Sequence, residues 1–328
     1  MNALVASALL VFAVVPQDAA ERLVERTRST GVMGKQLDLS AYGSDAAKLD
    51  AALDAAVAEM RRVEDLMTTW RPSALTRLND AAGRGPQTVP PELARLIARA
   101  LEIGRLTKGA FDVTYYGVGK LWDFKAEPPR IPDEAAIARA LERVGFARVT
   151  VDLDASTVTL PEGMAIGLGG IAKGYGVDRA MAVLMQHGVE HAIVNAAGDL
   201  KALGRKQGEL WRIAIKHPRD RERVLAVVPL SNTCLVTSGD YERFFEHDGE
   251  RYHHIIDPRT GYPSKGCMSA TVTAPDAAFA DALATALCVL SPDEGLALIE
   301  GLERVEAFLV GQDGELRVTS GLKSALAD

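Results

Sequence analysis

The sequence contains little of what marks several common protein classes. Its 328 residues include three cysteines, Cys234, Cys267 and Cys288, and no CxxC pair. A disulfide framework and a cysteine metal site are therefore not expected, and the three residues are predicted to be buried thiols. Lysine and arginine number 37 against 44 acidic residues, which gives a net charge of −7, and they form no basic run. This balance argues against a general nucleic-acid-binding protein, because the phosphate backbone requires a basic surface.

Long apolar runs are also scarce, and the one of note is Leu4–Val15 near the N-terminus. It is too short for an ordinary transmembrane helix, but it suits the hydrophobic region of a secretory signal with cleavage near Ala19–Ala20, although no Lys or Arg precedes it. An uncleaved N-terminal anchor and a buried helix are the alternatives. No cysteine follows the run, which excludes a lipoprotein anchor. Residues 1–20 are predicted to be a leader and residues 21–328 the exported, folded protein.

The remaining composition, 48% hydrophobic and 25% charged, is that of an ordinary globular protein. Apolar residues at helical spacing predict helices, among them one capped at Ser44-Asp45 and one over Pro91–Leu106. Alternating residues predict strands, including a first strand that opens at Met33-Gly34 and another over Tyr252–Ile256. An extended segment is expected after Gly109. Because helices and antiparallel hairpins are interleaved without a regular βαβ period, the sequence favours the α+β class.

The stretch Ile166–Ala180 (IGLGGIAKGYGVDRA) combines an apolar lead, a glycine loop and the start of a helix. Bare amide groups and the positive end of a helix can both face a phosphate, and Lys173 adds a point charge. The alternative is a tight strand-to-helix turn in which the glycines serve only the backbone conformation. The spacing matches neither GxGxxG nor GxxxxGK[ST], so neither the dinucleotide-binding fingerprint nor the P-loop is predicted.

Asp281 and Thr285 lie four residues apart on an alanine-rich helix (AFADALATALCVL), so they share one helix face. A carboxylate among alanine and leucine side chains requires a partner. Carboxylate and hydroxyl oxygens suit Mg²⁺, which takes few protein ligands together with water and substrate phosphate oxygens. The alternative is an Asp at the surface or at a cap and a Thr bonded to its own helix backbone.

His253 and His254 are adjacent in a predicted strand, so alternation turns only one of them inward. An inward histidine near a metal and phosphates is a candidate general base, whereas a hydrogen-bonded core histidine is the alternative. Polar residues also collect at strand ends, where turns are ordinary but binding groups are common. These residues are Asn195, Asp199, Ser238, Asp240, Asp257, Arg259 and Thr260.

Together and in order, these segments resemble the ApbE-type FAD:protein FMN transferases over nearly the whole chain after the leader. The matching segments are Met33-Gly34; Met67–Pro72 with Asn79; Gly109–Thr114; Gly169–Tyr175 with Asp178; Asn195–Asp199; His217-Pro218; Thr237–Tyr241; His254–Pro258 with Thr260-Gly261; and Asp281 with Thr285. The resemblance implies a single α+β domain of two lobes with a flavin cleft between them.

The resemblance also implies a reaction and its partners. Proteins of this type bind FAD and Mg²⁺, move the FMN part of FAD onto a Thr or Ser hydroxyl of a partner protein, and release AMP. Their acceptors are typically flavin-carrying subunits of membrane redox complexes, met on the extracytoplasmic side in the periplasm or at the outer face of the inner membrane. Some relatives instead hydrolyse FAD to FMN and AMP.

The site residues implied by the resemblance fall into three groups. His254 would take the proton from the acceptor hydroxyl. The metal would be held by the Gly170 carbonyl, Asp281 and Thr285. The flavin contacts would be Met33, Trp70, Ala110, Phe111, Asp112, Lys173 and Ile255.

The chain departs from the family at Gly167, where relatives usually carry an Asp that contacts the flavin. This loss bears on flavin affinity and orientation. Two other functions therefore stay open beside the transferase: a metal-dependent FAD pyrophosphatase that uses water as the acceptor, and a flavin-binding protein without catalysis. A redox flavoenzyme is disfavoured, because no nicotinamide-binding fingerprint is present.

Overall fold

The computed structural model describes residues 23–327, so the predicted leader lies outside the described part of the chain. The strands are β1 (Val24–Val32), β2 (Lys35–Gly43), β3 (Gln87–Thr88), β4 (Thr150–Asp152), β5 (Thr157–Thr159), β6 (His191–Ala196), β7 (Asp199–Leu203), β8 (Trp211–His217), β9 (Asp220–Leu230), β10 (Thr233–Gly239), β11 (Phe244–His247), β12 (Glu250–His253), β13 (Cys267–Ala274), β14 (Glu306–Gly311) and β15 (Leu316–Val318). The helices are α1 (Ala46–Met67), α2 (Ala74–Asp80), α3 (Pro91–Leu106), α4 (Tyr116–Gly119), α5 (Glu134–Leu141), α6 (Ala172–Gln186), α7 (Ala277–Val289), α8 (Pro292–Glu300) and α9 (Ser320–Ala327).

An eight-stranded sheet in the order β1-β2-β6-β7-β10-β13-β14-β15 forms the centre of the fold. Its neighbouring strands pair antiparallel, as do those of three smaller sheets, β3-β5-β4, β8-β9 and β11-β12. Helices are segregated from these hairpins and not threaded between parallel strands. The α+β prediction is confirmed.

Helices α1, α6 and α7 pack together beside the large sheet, and α7 lies directly on β10 and β13. Helix α1 begins where the Asp45 side chain accepts hydrogen bonds from the amides of Ala47 and Lys48, as its sequence predicts. Helix α6 approaches α7 closely because Gly174 has no side chain: a Cβ there would lie 2.1 Å from the Ala277 carbonyl oxygen. This close contact brings the first turn of α6 against the buried carboxylate of α7.

Two further clusters complete the core. The β8-β9 hairpin covers the other face of the sheet, where Tyr42, Trp211 and Phe308 are buried. A smaller aromatic cluster surrounds Trp122, whose ring Nε1–H donates to the Gly261 carbonyl at 2.9 Å. The three cysteines are buried free thiols, as predicted. Within residues 23–327, no helix has both the length and the apolar character needed to cross a bilayer.

Three predicted details of secondary structure were wrong, and one short helix was missed. The strand after Met33-Gly34 is the second and not the first, because the polar segment Val24–Val32 pairs with it along its whole length. The strand containing the histidines ends at His253. The segment after Asp112 is not extended but forms a 3-10 turn that continues into α4. The short helix α2 was not predicted, although Ser73 and Thr76 form a reciprocal cap at its start.

Candidate active site

A cleft of about 400 Å³ lies where the β1-β2 turn, the loop after α1, the glycine loop, α7 and the segments that follow β10 and β12 meet. Every residue that the resemblance assigned to the site lines it: Met33, Trp70, Ala110, Phe111, Asp112, Gly170, Lys173, His254, Ile255, Asp281 and Thr285. The fold therefore brings together residues separated by up to 252 positions, the distance along the chain from Met33 to Thr285.

Asp281 and Thr285 face the cleft from α7, one helical turn apart. Asp281 is 2% exposed, and its Oδ2 accepts the Gly174 amide at 3.1 Å. Gly170 lies against them, since a Cβ on this residue would be 3.1 Å from Thr285 Oγ1 and 3.2 Å from Phe111 Cε2. The glycine loop and the polar face of α7 thus share one pocket, although their sequence positions are more than a hundred residues apart.

These residues have a donor set that fits Mg²⁺. A carboxylate, a hydroxyl and a main-chain carbonyl are hard oxygen donors, and Mg²⁺ commonly keeps few protein ligands. Within residues 23–327, no cluster of three or more His, Cys, Asp or Glu side chains could hold a metal by itself.

Asn79 fixes the entrance to the glycine loop. Its side-chain amide donates to the Ile166 carbonyl and accepts the Ile166 amide, both at 2.9 Å, as a neighbouring strand would. Several amides of the loop also have partners within the protein: Gly167 donates to the Val113 carbonyl at 2.8 Å, and Gly174 donates to Asp281. These two amides are therefore not free to bind a phosphate, whereas the Lys173 side chain lines the cleft.

Lys173 and Asp199 form an ion pair at the inner end of the cleft. Lys173 Nζ lies 2.7 Å from Asp199 Oδ2, and the Asp199 side chain is fully buried. Burial and repulsion by the neighbouring Asp281 raise the pKa of the Asp199 carboxyl, against the opposing effect of Lys173. Burial disfavours the charged form of Lys173, but Asp199 and Asp281 outweigh it and raise the Lys173 pKa. Lys173 is therefore a cation at neutral pH.

The two adjacent histidines have different environments. His253 is buried, and its Nε2 lies 2.9 Å from the Ser264 carbonyl. His254 lines the cleft just past the end of β12, held by its backbone amide, which donates to the Arg243 carbonyl. Its buried Nδ1 meets no hydrogen-bond partner among the described residues. Burial, then the Arg243 charge, lowers the pKa of His254 to about 3, so the ring is neutral near pH 7.

The predicted flavin contacts differ in what their side chains do. Trp70 is 63% exposed at the mouth of the cleft, and the Gly34 turn packs against its indole. Phe111 lies in the cleft wall. Both oxygens of Asp112 are already occupied: Oδ1 accepts from the amide and hydroxyl of Thr114, and Oδ2 accepts the Phe146 amide at 2.9 Å. The Asp112 carboxylate therefore holds the loop, whatever contact its backbone makes with a ligand.

Comparison with known proteins agrees with this geometry. A profile of the ApbE family matches residues 33–309. The chain belongs to the ApbE family. A Treponema pallidum (strain Nichols) protein named FAD:protein FMN transferase is 35% identical over 320 residues, covering 92% of this chain and 88% of the relative. An Escherichia coli K12 protein with the same name is 31% identical over 310 residues, with the same two coverages.

Solved structures of ApbE proteins have the same fold. The Thermotoga maritima ApbE protein superposes with a TM-score of 0.86 at 32% identity, covering 93% of this chain and all of that one. The apo form of the Pseudomonas stutzeri flavinyl transferase ApbE gives a TM-score of 0.82 at 29% identity, covering 93% of this chain and 98% of that one. The predicted family and fold are confirmed, and the names of these relatives agree with the predicted transferase class.

At the position where this ApbE chain has Gly167, the cleft wall is filled by Tyr116. A Cβ on Gly167 would lie 2.8 to 2.9 Å from the Cδ2, Cβ and Cγ atoms of Tyr116, so no larger side chain fits unless the ring moves. The nearby Tyr115 hydroxyl would lie 3.5 Å from a Cβ on Gly169. No local sequence pattern pairs Tyr115 and Tyr116 with the glycine loop, because this pairing depends on tertiary structure.

The rim of the ApbE cleft contains residues that sequence reasoning did not name. Lys35 Nζ lies 2.7 Å from Glu242 Oε2, and both line the cleft, so this ion pair joins the β1-β2 turn to the segment after β10. Arg243 follows Glu242 and lines the same cleft beside His254. Exposed charges in loops are common, and no local pattern distinguished these from the others.

Proposed function

We propose that this protein transfers the FMN moiety of FAD to a Thr or Ser hydroxyl of an acceptor flavoprotein in a Mg²⁺-dependent reaction that releases AMP. The observation that carries the proposal is that one cleft is lined both by the neutral histidine His254 and by the oxygen donors of Gly170, Asp281 and Thr285. The Nδ1 atom of His254 has no hydrogen-bond partner among the described residues. The names of the relatives support the same reaction.

The chemistry follows from what each residue can supply. The acceptor hydroxyl oxygen attacks the phosphorus on the FMN side of the FAD diphosphate, forming the new phosphoester bond. The bond from that phosphorus to the oxygen of the AMP phosphate breaks, and AMP leaves with the bonding electrons. His254, which lines the cleft, accepts the hydroxyl proton, as a neutral imidazole can do. Water is not consumed.

Negative charge grows on the phosphate oxygens during this displacement. Lys173 is a cation that lines the cleft, and it offsets part of that charge. Bound Mg²⁺, held by Asp281, Thr285 and the Gly170 carbonyl, would act as a Lewis acid on the diphosphate. Trp70 and Phe111 offer aromatic surface for the isoalloxazine or the adenine ring.

The acceptor and the location are part of the same proposal. The acceptor is a flavin-carrying subunit of a membrane redox complex, bound transiently, and the protein works on the extracytoplasmic side of the membrane. Support comes from the apolar N-terminal run in the sequence and from Trp70, a cleft residue whose side chain is accessible from solvent.

The test is incubation with FAD, Mg²⁺ and a candidate acceptor, followed by intact mass measurement of the acceptor and chromatography of the nucleotides. An acceptor heavier by one FMN group, with one AMP released per modification, is the expected result. AMP and FMN appearing at the same rate without an acceptor would identify a pyrophosphatase. FAD that stays bound and intact would identify a binding protein.

A further inference from the structure

Asp199 lies behind the cleft, at a point where the sheet fixes its backbone. It is the first residue of β7, pairing with Ala196 on one side and with Val236 on the other. Its side chain is fully buried and does not line the cleft, whereas its ion-pair partner Lys173 does. Apart from that ion pair, no hydrogen-bond donor within residues 23–327 meets either of its carboxylate oxygens.

A second ion pair also joins α6 to β7, but with the acidic residue on the helix and the basic residue on the strand. Asp178 of α6 pairs with Lys201 of β7 at 2.5 Å, and the other Asp178 oxygen accepts the Ala278 amide at 3.0 Å. Neither residue is among those that line the cleft. This pair ties α6 to β7 and α7 with its hydrogen bonds filled, as a structural ion pair does.

The Lys173–Asp199 pair is different, because its carboxylate is fully buried, has Lys173 as its cationic partner and lies beside the Asp281 carboxyl, which repels it. Burying a carboxylate in this state costs folding free energy, so a fold is expected to retain it only where the opposite charge is required. A lysine side chain is otherwise flexible, with several rotatable bonds and three donors that can face many directions. A carboxyl group anchored in the sheet and paired with the ammonium restricts that freedom at the cleft wall.

We propose that Asp199 is a positioning residue of this site: it holds the Lys173 ammonium at the cleft wall, where the diphosphate of the dinucleotide binds. The inference rests on the proposed function for its substrate. Asp199 itself touches no substrate and acts through Lys173. Its contribution is greatest in the transferring state, when the phosphate oxygens carry the most charge and the place of the cation matters most.

The test compares Asp199→Asn, Lys173→Met and the double variant with Asp178→Asn as the matched control. Asp199→Asn leaves the ammonium charged but untethered, so we expect kcat to fall by about tenfold or more while the KM for FAD changes by less than about threefold. In the Lys173→Met background, adding Asp199→Asn should change kcat by less than about twofold, because the two residues act as a unit. Asp178→Asn should lower the thermal midpoint and leave kcat unchanged.

Two results would overturn the proposal. One is a folded Asp199→Asn protein with unaltered kcat; the other is an equal further loss of kcat in the Lys173→Met background. Should Asp199→Asn not fold, Lys173→Met/Asp199→Leu replaces the pair by apolar side chains, a change that buried ion pairs often tolerate. Its kcat should equal that of Lys173→Met alone, and a much lower kcat would contradict a role through Lys173.

A second readout separates this inference from the proposed function. The visible circular dichroism of bound FAD depends on how the flavin is held and requires no acceptor. We expect Asp199→Asn and Lys173→Met to change this spectrum in the same way, and Asp178→Asn to leave it as in the unmodified protein. If the unmodified protein transfers no FMN, the proposed function fails while the spectra still decide whether Asp199 positions Lys173; identical spectra in all variants would reject that role.

Discussion

Helix α6 contacts two polar clusters, and they differ in how well their groups are satisfied. On its outer side, Glu59 pairs with Arg62 and Arg179 at 2.8 Å, and Glu92 pairs with Arg62 at 2.7 Å and accepts the Tyr175 hydroxyl. At the first turn of α6, facing the cleft, Lys173 pairs with Asp199 of β7, and the Asp281 carboxylate lies near Asp199.

The two clusters illustrate two uses of polar groups. The outer cluster is fully paired and partly exposed, so it adds modestly to stability and holds α1, α3 and α6 together. The cleft cluster is buried and under-satisfied, which a fold retains where a ligand completes it. Changes at the cleft should therefore act mainly on activity, and changes at the outer cluster mainly on stability.

The largest expected effect is that of Asp281→Ala. Without this carboxylate the proposed metal site loses the one charged ligand assigned to it, and Mg²⁺-dependent transfer should fall by about a hundredfold or more. FAD binding without Mg²⁺ should weaken only partly, since the aromatic wall remains. Intact-mass assays of transfer and titrations of FAD with and without Mg²⁺ measure the two effects.

Asp276→Asn is the matched control for that variant. Asp276 caps the same helix by accepting the Phe279 amide at 2.8 Å, and asparagine caps helices about as well. Turnover should be unchanged in this control. Unchanged turnover in Asp281→Ala itself would remove the metal assignment.

His254→Ala comes next. Loss of a general base lowers the rate by about 10²- to 10⁴-fold, so transfer should nearly stop while FAD stays bound. Because the pKa of His254 is lowered to about 3, the base is already neutral throughout pH 5–8, and kcat/KM should show no fall near pH 6.5 that belongs to this residue.

The pH–rate profile and the mass of the acceptor check this prediction, with His187→Ala as an exposed histidine control. Normal flavin transfer by His254→Ala would exclude the base role. A group titrating near pH 6.5 that disappears in His254→Ala would mean that the ring is not neutral and desolvated as described.

Gly174→Ala should act on both properties, because Gly174 allows α6 to approach α7. A Cβ 2.1 Å from the Ala277 carbonyl forces the helices apart, and overpacking of this kind costs about 1–3 kcal/mol of unfolding free energy. The Gly174 amide would also leave Asp281, so activity should fall in the protein that remains folded. Urea unfolding measures the first effect.

Gly117→Ala provides the comparison for stability, since a Cβ on Gly117 meets nothing within 4 Å. This variant should be neutral or slightly more stable. Equal stability of the two variants would show that α6 and α7 are not held by backbone contact at Gly174.

The smallest expected effect is in the outer cluster. Arg62 first, and then Arg179, lower the pKa of Glu59 to about 2 from its ordinary value near 4.5. A carboxyl group whose pKa is lower in the folded state stabilises the fold at any pH above its pKa in the unfolded state. This stabilisation is lost as the pH falls through the pKa of the folded state. The Glu59 contribution should therefore disappear between about pH 4.5 and pH 2.

Because Arg62 and Arg179 are both partly exposed to solvent, the contribution should be no more than about 1 kcal/mol. Unfolding curves of the unmodified protein and of Glu59→Gln, compared at pH 7 and at pH 3, measure it. The gap between the two proteins should narrow at the lower pH, and activity should be equal at pH 7. A gap that widens in acid would contradict the pairing.

The elements that sequence predicted well carry strong local signals. Helix α1 has its cap and its apolar spacing, and α3 begins with proline and ends as predicted. Strand β1 was missed because it lies at the edge of the sheet, where most of its side chains are exposed and polar. The strand ending at His253 was overextended, because the run of isoleucines after it has strand character while their backbone turns toward Ser264.

The same distinction holds at the site. Motif resemblance identified residues that the fold brings into one cleft, including Asp281 and His254. It could not reveal that Tyr116 fills the space beside Gly167, nor that Asp199 anchors Lys173, because both depend on side chains brought together by the folded chain. The sequence marked Asp199 only as a polar residue at a strand end and as part of the matching segment Asn195–Asp199, without a partner.

The placement of Trp70 has a practical consequence. The chain has three tryptophans, and the other two, Trp122 and Trp211, are each 5% exposed. Indole emission shifts to longer wavelength in water, so the red edge of the fluorescence spectrum belongs almost entirely to Trp70. A flavin seated in the cleft would quench this component by energy transfer at close range, and the protein therefore contains its own optical reporter of ligand occupancy.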